Sequence, residues 1–152
     1  MGKQKISKKD LQNLELLNTY QTIKNSSSEP LLAIDYGEKF CGIAHNPIPN
    51  VASPLCVVPT PEFHKEIKKL IKEKSVNHLI WGLPISSDGT ENHVCKKIRE
   101  EAQKYSEHGI QNSFVNERLS TQNIPLTQKE DRKDHLSASC ILEFYFQGSV
   151  IY

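Results

Sequence analysis

Short apolar runs that alternate with amphipathic stretches constrain the fold of this 152-residue chain more than any other feature. The short runs predict five strands, at residues 31–35, 40–45, 55–58, 78–81 and 111–115. Longer stretches with apolar residues on one face predict three helices, at residues 63–74, 92–108 and 134–146. A hairpin followed by alternating helices and strands indicates an α/β domain that has a mixed sheet with flanking helices.

The first 30 residues differ in composition from the rest of the chain. Leucines between residues 11 and 17 have roughly helical spacing, lysines are frequent, and residues 25–30 read as a serine-rich linker. One interpretation is an accessory helix docked on the domain, and another is a basic arm that contacts phosphate. The sequence therefore predicts a basic helical extension with a linker over residues 1–30, followed by one domain over residues 31–152.

Three acidic residues stand at the ends of predicted core elements. Asp35 ends the first strand, Glu117 follows the last strand, and Asp134 opens the final helix. Each has an ordinary structural explanation, namely a turn former, a surface ion pair with Arg118, and an N-terminal helix cap. The functional interpretation is that the three carboxylates hold divalent metal against a phosphodiester. Mg²⁺ suits this arrangement because it prefers a few carboxylates together with water and substrate phosphate.

Two further segments carry groups that suit phosphate. Gly82 begins a polar loop at the end of a predicted strand, where α/β sheets bind ligands, and Thr90 in this loop is a candidate N-cap of the next helix. Backbone N–H groups at that helix start would then meet phosphate. Arg118 can hold a phosphate bidentately, and the hydroxyls of Ser120 and Thr121 add hydrogen-bond donors.

The overall composition restricts the class of protein without choosing a ligand. The chain has 19 basic and 18 acidic residues, so net charge argues neither for nor against a nucleic-acid partner. Its four cysteines form no C-x-x-C pair, which favours free thiols in a reducing compartment. No run approaches the ~18 consecutive apolar residues of a membrane-spanning helix, and no signal-peptide pattern is present. We therefore expect a cytoplasmic protein without membrane association.

Taken together, these segments resemble the RuvX family, also called YqgF, of RNase H-like nucleases. The resemblance covers residues 31–146 and rests on motifs that occur in the family's order. They are Ala33-Ile34-Asp35-Tyr36-Gly37 with Lys39, Gly42-Ile43-Ala44, Trp81-Gly82-Leu83-Pro84 with Asp88-Gly89-Thr90-Glu91, Glu117-Arg118-Leu119-Ser120-Thr121, and the helix that begins at Asp134. The resemblance implies an RNase H-like fold in which Asp35, Glu117 and Asp134 are the catalytic, metal-binding acids.

The same resemblance implies a nuclease that depends on Mg²⁺ or Mn²⁺ and acts in 5′-end maturation of pre-16S ribosomal RNA. Resolution of branched DNA, the Holliday junction, is the alternative activity. The substrate-binding residues would be Lys39, Gly82, Arg118, Ser120 and Thr121. Expected partners are therefore pre-ribosomal RNA or branched DNA, with ribosomal precursor particles as a further candidate. The chain itself would be a monomer or a homodimer.

Three departures from the family pattern bear on this expectation. Phe40 stands where the family usually has arginine, which removes a phosphate contact or a structural ion pair. Asn116 replaces the acid that often precedes the glutamate. Only 12 residues, 122–133, separate Thr121 from Asp134, where the family typically carries a longer helical segment. These departures leave the three acids in place but bear on the shape of the substrate groove.

Two other classes of protein fit parts of the sequence. A relative that binds nucleic acid without cleaving it is consistent with the three departures. An ATPase of the actin or sugar-kinase kind also begins a phosphate-binding hairpin with an Asp-x-Gly sequence such as Asp35-Tyr36-Gly37. That class needs two lobes and a second phosphate loop, for which 152 residues leave no room.

Overall fold

The computed structural model describes residues 29–117 and 137–151. Its strands are β1 (Leu31–Tyr36), β2 (Phe40–His45), β3 (Ser53–Pro59), β4 (His78–Leu83) and β5 (Gln111–Asn116). Its helices are α1 (Phe63–Lys74), which follows a short 3₁₀ turn (Thr60–Glu62), α2 (His93–Ser106) and α3 (residues 137–146). The predicted extension before residue 29 and the start of the last predicted helix, residues 134–136, lie outside the described residues.

The five strands form one mixed sheet with the order β3-β2-β1-β4-β5. The hairpin strands β1 and β2 pair antiparallel, as do β2 and β3, whereas β4 pairs parallel with both β1 and β5. The α/β class with a mixed sheet, predicted from the order of the segments, is confirmed. The parallel pairs bring the carboxyl ends of β1, β4 and β5 to one edge of the sheet.

Each face of the sheet has its own core. Apolar residues from β1, β2 and β4 alternate between the two faces, as the pleat of a strand requires. Helices α1 and α2 cover one face, where Phe63, Leu79 and Ile98 are fully buried around Trp81. Helix α3 covers the other face, where Ile141 packs in a smaller cluster. The sequence-based assignment of Trp81 to the core is confirmed.

The start of α2 corrects one prediction. Asn92, not Thr90, caps the helix, and its side-chain oxygen accepts hydrogen bonds from the backbone N–H groups of Val94 and Cys95. Thr90 instead bonds Asp88, with its hydroxyl 2.6 Å and its backbone N–H 3.0 Å from the Asp88 carboxylate. Because the Thr90 hydroxyl and N–H both bond to Asp88 in a local Asx-type turn, Thr90 is not the residue that caps the helix.

A chain of polar contacts centred on buried Glu101 joins α1 to α2. The imidazole of His64 contacts the Glu101 carboxylate and the Tyr105 hydroxyl, each at 2.6 Å, and Lys104 donates to Glu101 at 3.0 Å. Burial raises the pKa of Glu101, but the hydrogen bonds from Lys104 and His64 outweigh it, so the net pKa lies below the ordinary 4.5. The carboxylate is therefore ionised and paired although the residue is only 6% exposed.

Helix α3 runs antiparallel to β4 and packs against a glycine. A Cβ placed on Gly82 would lie 2.4 Å from Cδ1 of Ile141, so the helix sits on the sheet only because residue 82 has no side chain. One turn later the Tyr145 ring packs on His78 at the amino end of β4, with the ring centres 5.4 Å apart. The chain therefore enters α3 from the edge where β1, β4 and β5 end.

Two expectations about the chain's surroundings can be compared with the structure. All four cysteines, Cys41, Cys56, Cys95 and Cys140, are free thiols, as their spacing predicted. Within residues 29–117 and 137–151, no helix is long and apolar enough to cross a membrane.

We predict that Glu101→Gln lowers the free energy of unfolding by about 1.5–3 kcal/mol at pH 7, the usual range for hydrogen bonds to a charged group. Because the folded-state pKa of Glu101 is depressed, its stabilisation is present above about pH 4.5 and is lost as pH falls through the folded-state value. Urea unfolding at pH 7 and pH 3 measures both effects. The exposed neighbour Glu100→Gln is the control, and an equal loss at both pH values would contradict the ionised pair.

We predict that Gly82→Ala destabilises the fold by about 1–3 kcal/mol, because the new methyl group overpacks against Ile141. Ile141→Val removes the colliding Cδ1 atom and alone should cost about 0.5–1.5 kcal/mol. The double variant should be more stable than the sum of the single losses predicts, which a double-mutant cycle by urea unfolding measures. If the losses of unfolding free energy in the two single variants add exactly in the double variant, contact between residue 82 and Ile141 does not position α3.

Candidate active site

Asp35 lies in a row with two glycines. In the antiparallel register Asp35 pairs with Gly42 on β2, and it follows the Ile34–Trp81 pair of the parallel register, so it is level with Gly82 on β4. Neither strand therefore places a side chain directly beside the half-buried Asp35 on its face. Gly42 and Gly82 thus flank Asp35 without side chains, and the sequence did not indicate Gly42 as a neighbour of the carboxylate.

Glu117 approaches the same row from the other side of Gly82. Gly82 pairs with Val115, and Glu117 follows two residues later, on the face that α3 covers. A Cβ placed on Gly82 would lie 3.3 Å from the Glu117 Cβ, which fixes the glutamate beside the glycine. With neighbouring strands ~4.8 Å apart, the backbones that carry Asp35 and Glu117 are roughly 10 Å apart. Asp35 and Glu117 thus lie on one face of the sheet, on either side of Gly82.

Asn116 lies on the opposite face from Glu117. It pairs with Leu83, whose side chain packs in the core under α1 and α2, and paired residues share a face of the sheet. An acid at position 116 would therefore point away from the gap between Asp35 and Glu117. Replacement of the family's acid by Asn116 leaves the number of carboxylates around this gap unchanged.

The other predicted site residues fall outside the described part of the chain. These are Arg118, Ser120, Thr121 and Asp134. Within residues 29–117 and 137–151, no three His, Cys, Asp or Glu side chains group closely enough to hold a metal ion. Asp35 and Glu117 supply hard oxygen donors of the kind that Mg²⁺ and Mn²⁺ accept. The donor chemistry of these two residues therefore fits a divalent ion, whose remaining ligands would be water, substrate phosphate or further acids.

The turn between β1 and β2 holds Lys39 at the same edge of the sheet. The Thr60 hydroxyl donates to the Gly37 carbonyl at 2.7 Å, and the Thr60 backbone N–H donates to the Lys39 carbonyl at 2.9 Å. A Cβ on Gly37 would lie 2.3 Å from the Phe40 carbonyl oxygen, so the tight turn requires glycine. The turn backbone is thus fixed, while the Lys39 side chain is exposed to solvent.

The loop after β4 is pinned by its own contacts. The amide of Asn92 donates to the Pro84 carbonyl at 3.0 Å while its oxygen caps α2. The Asn92 oxygen thus already accepts hydrogen bonds from the backbone N–H groups of Val94 and Cys95, which belong to the helix start that was predicted to meet phosphate. Gly82 is itself buried beneath Ile141, so any substrate contact in this segment would have to come from the exposed loop residues that follow it.

The residue next to Asp35 points into the other core. The Tyr36 ring packs edge-on against Phe63 at 5.3 Å between ring centres. Burial raises the pKa of Tyr36 to about 12, and the negative charge of Glu101 adds to this shift. Tyr36 therefore remains a neutral phenol at physiological pH, and it anchors the end of β1 on the face opposite to Asp35.

Solved structures that this chain resembles share its fold. RuvC of Thermus thermophilus, determined in complex with a Holliday junction, superposes with a TM-score of 0.54 over 81% of this chain and 99% of that chain, at 11% identity. Another structure of the same RuvC gives a TM-score of 0.53, with 80% and 98% coverage, at 13% identity. The RNase H-like fold that the sequence resemblance implied is confirmed.

Relatives of higher identity come from several bacteria and are described as candidate pre-16S rRNA nucleases. A protein of Dictyoglomus thermophilum is 32% identical over 133 residues, which cover 78% of this chain and 96% of that protein. One of Escherichia coli O7:K1 is 33% identical over 135 residues, with coverage of 79% and 97%. One of Dictyoglomus turgidum is 38% identical over 96 residues, with coverage of 60% and 68%.

The model of the RuvX family, described as Holliday junction resolvase, matches residues 29–148. Both descriptions are of nucleases, so hydrolysis of phosphodiester bonds, the predicted class of activity, is confirmed for the family, and the ATPase alternative loses its support. The match spans β1 to α3 and includes Asp35, Gly82 and Glu117. The chain belongs to the RuvX family of RNase H-like nucleases.

Proposed function

We propose that the chain is a divalent-metal-dependent nuclease that cleaves pre-16S ribosomal RNA near its mature 5′ end. The observation that carries this proposal is the pair of carboxylates, Asp35 and Glu117, on either side of Gly82 on one face of the sheet. The curated relatives that share most of the chain's length are described as acting on pre-16S rRNA, which favours RNA over branched DNA. Ribosomal precursor particles are the proposed setting of the reaction, in the cytoplasm.

Asp134 is the proposed third acid. It stands seven residues before Ile141 in the sequence. Because Ile141 packs on Gly82 and Tyr145 packs at the far end of β4, the described part of α3 begins toward the edge where Asp35 and Glu117 lie. The order of these contacts supports a carboxylate at position 134 as part of the same set.

The proposed mechanism assigns separate tasks to the acids and the basic residues. Asp35, Glu117 and Asp134 would hold Mg²⁺ or Mn²⁺, which when bound would supply activation of the attacking water and stabilise charge on the leaving oxygen. Lys39 would neutralise a substrate phosphate from the exposed turn at this edge. Arg118 would hold a second phosphate oxygen bidentately, with Ser120, Thr121 and the loop that begins at Gly82 as further contacts.

Three finer assignments complete the proposal. Residues 1–30 are a basic extension to a nuclease domain over residues 31–152, and this extension adds lysines that can meet RNA phosphate. The nuclease domain works as a monomer or a homodimer. Holliday junction DNA is the second candidate substrate, favoured by the description of the family model.

We predict that purified protein with Mn²⁺ cleaves a labelled RNA that spans the 5′ end of 16S rRNA and its precursor extension, and that EDTA stops the reaction. Asp35→Asn and Glu117→Gln should each lower the cleavage rate about a thousandfold, because each removes several kcal/mol of transition-state stabilisation. Glu38→Gln, which neutralises an exposed acid three residues from Asp35, should leave the rate unchanged.

A labelled four-way DNA junction assayed beside the RNA decides between the two substrates. Cleavage of the junction alone, lost in Asp35→Asn, would replace the RNA proposal by resolvase activity. If the wild-type protein binds either substrate but cleaves neither, the chain is a nucleic-acid-binding member of the family without catalytic activity. Equal rates for wild type and Asp35→Asn would remove this carboxylate from the mechanism.

A further inference from the structure

Phe40 is an exposed aromatic side chain beside the candidate active site. It is 49% exposed, whereas every other aromatic side chain in the part of the chain that the structure describes is buried or half-buried. The other three large apolar residues with high exposure, Ile48, Val51 and Val94, are aliphatic. Within the same described residues, Phe40 takes part in no ring pair, although Tyr36, Phe63 and Trp81 nearby pack against one another.

The strand register places this ring on the same face as Asp35. Residues that pair across antiparallel strands share a face, and Asp35 pairs with Gly42. Phe40 precedes Gly42 by two residues, so the pleat returns its side chain to that face. A diagonal neighbour of this kind lies roughly 7–8 Å away across the strand pair.

No β2 side chain stands between the ring and the level of Asp35. The β2 residue on that face that is level with Asp35 is Gly42, which has no side chain to stand between the ring and Asp35. The backbone beneath Phe40 is fixed, since its carbonyl oxygen fits against Gly37 and its strand pairs with Pro59 of β3. An aromatic ring that is 49% exposed on a strand with a fixed backbone has the properties of a stacking platform for a nucleobase.

We propose that Phe40 stacks on an unpaired nucleobase that flanks the bond cleaved between Asp35 and Glu117. This inference rests on the proposed nuclease function and deepens it, because a base can stack on a side chain only when it is unstacked from its own helix. The substrate is then a single-stranded segment of nucleic acid at the cut, in place of a continuous duplex. Phe40 acts in binding and position, while the acids act in cleavage.

The test measures binding of a labelled single-stranded RNA in EDTA, so that cleavage does not enter the result. Phe40→Leu keeps an apolar side chain but removes the ring, and binding should weaken about tenfold, the usual effect of losing one stacked base. Phe40→Trp should bind at least as well as wild type. Ile48→Ala, an exposed apolar residue beyond the opposite end of β2, is the matched control and should bind as wild type does.

Abasic substitution along the RNA identifies the stacked base. At one position next to the cut, removal of the base should weaken wild-type binding by the same factor as Phe40→Leu, and the two changes together should cost no more than one alone. A second RNA, paired over the same nucleotides, should bind equally well to wild type and to Phe40→Leu.

Two results would overturn the inference: equal binding of the single strand by wild type and Phe40→Leu, or a loss in Phe40→Leu that is the same for single-stranded and paired RNA. Either result can occur while Asp35→Asn abolishes cleavage, and the nuclease proposal would then stand without the stacking residue. Conversely, the wild-type protein could cleave neither substrate and still bind the single strand more tightly than Phe40→Leu does. That result would retain the base-stacking role of Phe40 and remove the nuclease proposal.

Discussion

The parallel pairing of β4 with both β1 and β5 is the constraint on which the rest of the structure depends. It places the ends of three strands at one edge of the sheet. The register sets Asp35, Gly82 and Val115 in one row, and Glu117 follows Val115 by two residues. A slip of one residue in either pair would turn a carboxylate to the opposite face. The buried apolar residues on both faces, such as Ile34 and Ile80, oppose such a slip because it would expose them to water.

Glycine at position 82 serves packing and site geometry together. The same missing side chain admits Ile141 of α3 to the sheet and allows the Glu117 Cβ to lie close beside residue 82. Helix packing and the spacing of the acids are therefore coupled, since any side chain at position 82 would displace both neighbours. Gly42 on the other side of Asp35 likewise adds no side chain at the level of the carboxylate.

Much of the fold followed from the sequence because its period-2 and helical patterns were clear. The bounds predicted for β2 and α1 agree with the structure, whereas β3 is longer than predicted because Ser53, Pro54 and Pro59 continue the edge strand. Asp35 and Glu117 were predicted as members of one site, and the structure places both beside Gly82. The roles of Gly42 and of exposed Phe40 could not be predicted, since they depend on the register of β1 with β2, which no local pattern of residues specifies.

The central claim is that Asp35 and Glu117 form one divalent-ion site across Gly82, and calorimetric titration of the purified protein with Mn²⁺ in the absence of nucleic acid tests it most directly. The account predicts binding by the wild-type protein that Asp35→Asn and Glu117→Gln each weaken by at least about tenfold, because affinity for a hard cation follows the number of charged ligands. It also predicts unchanged binding by Glu38→Gln. Equal Mn²⁺ affinity in all four proteins would show that the two carboxylates do not share an ion.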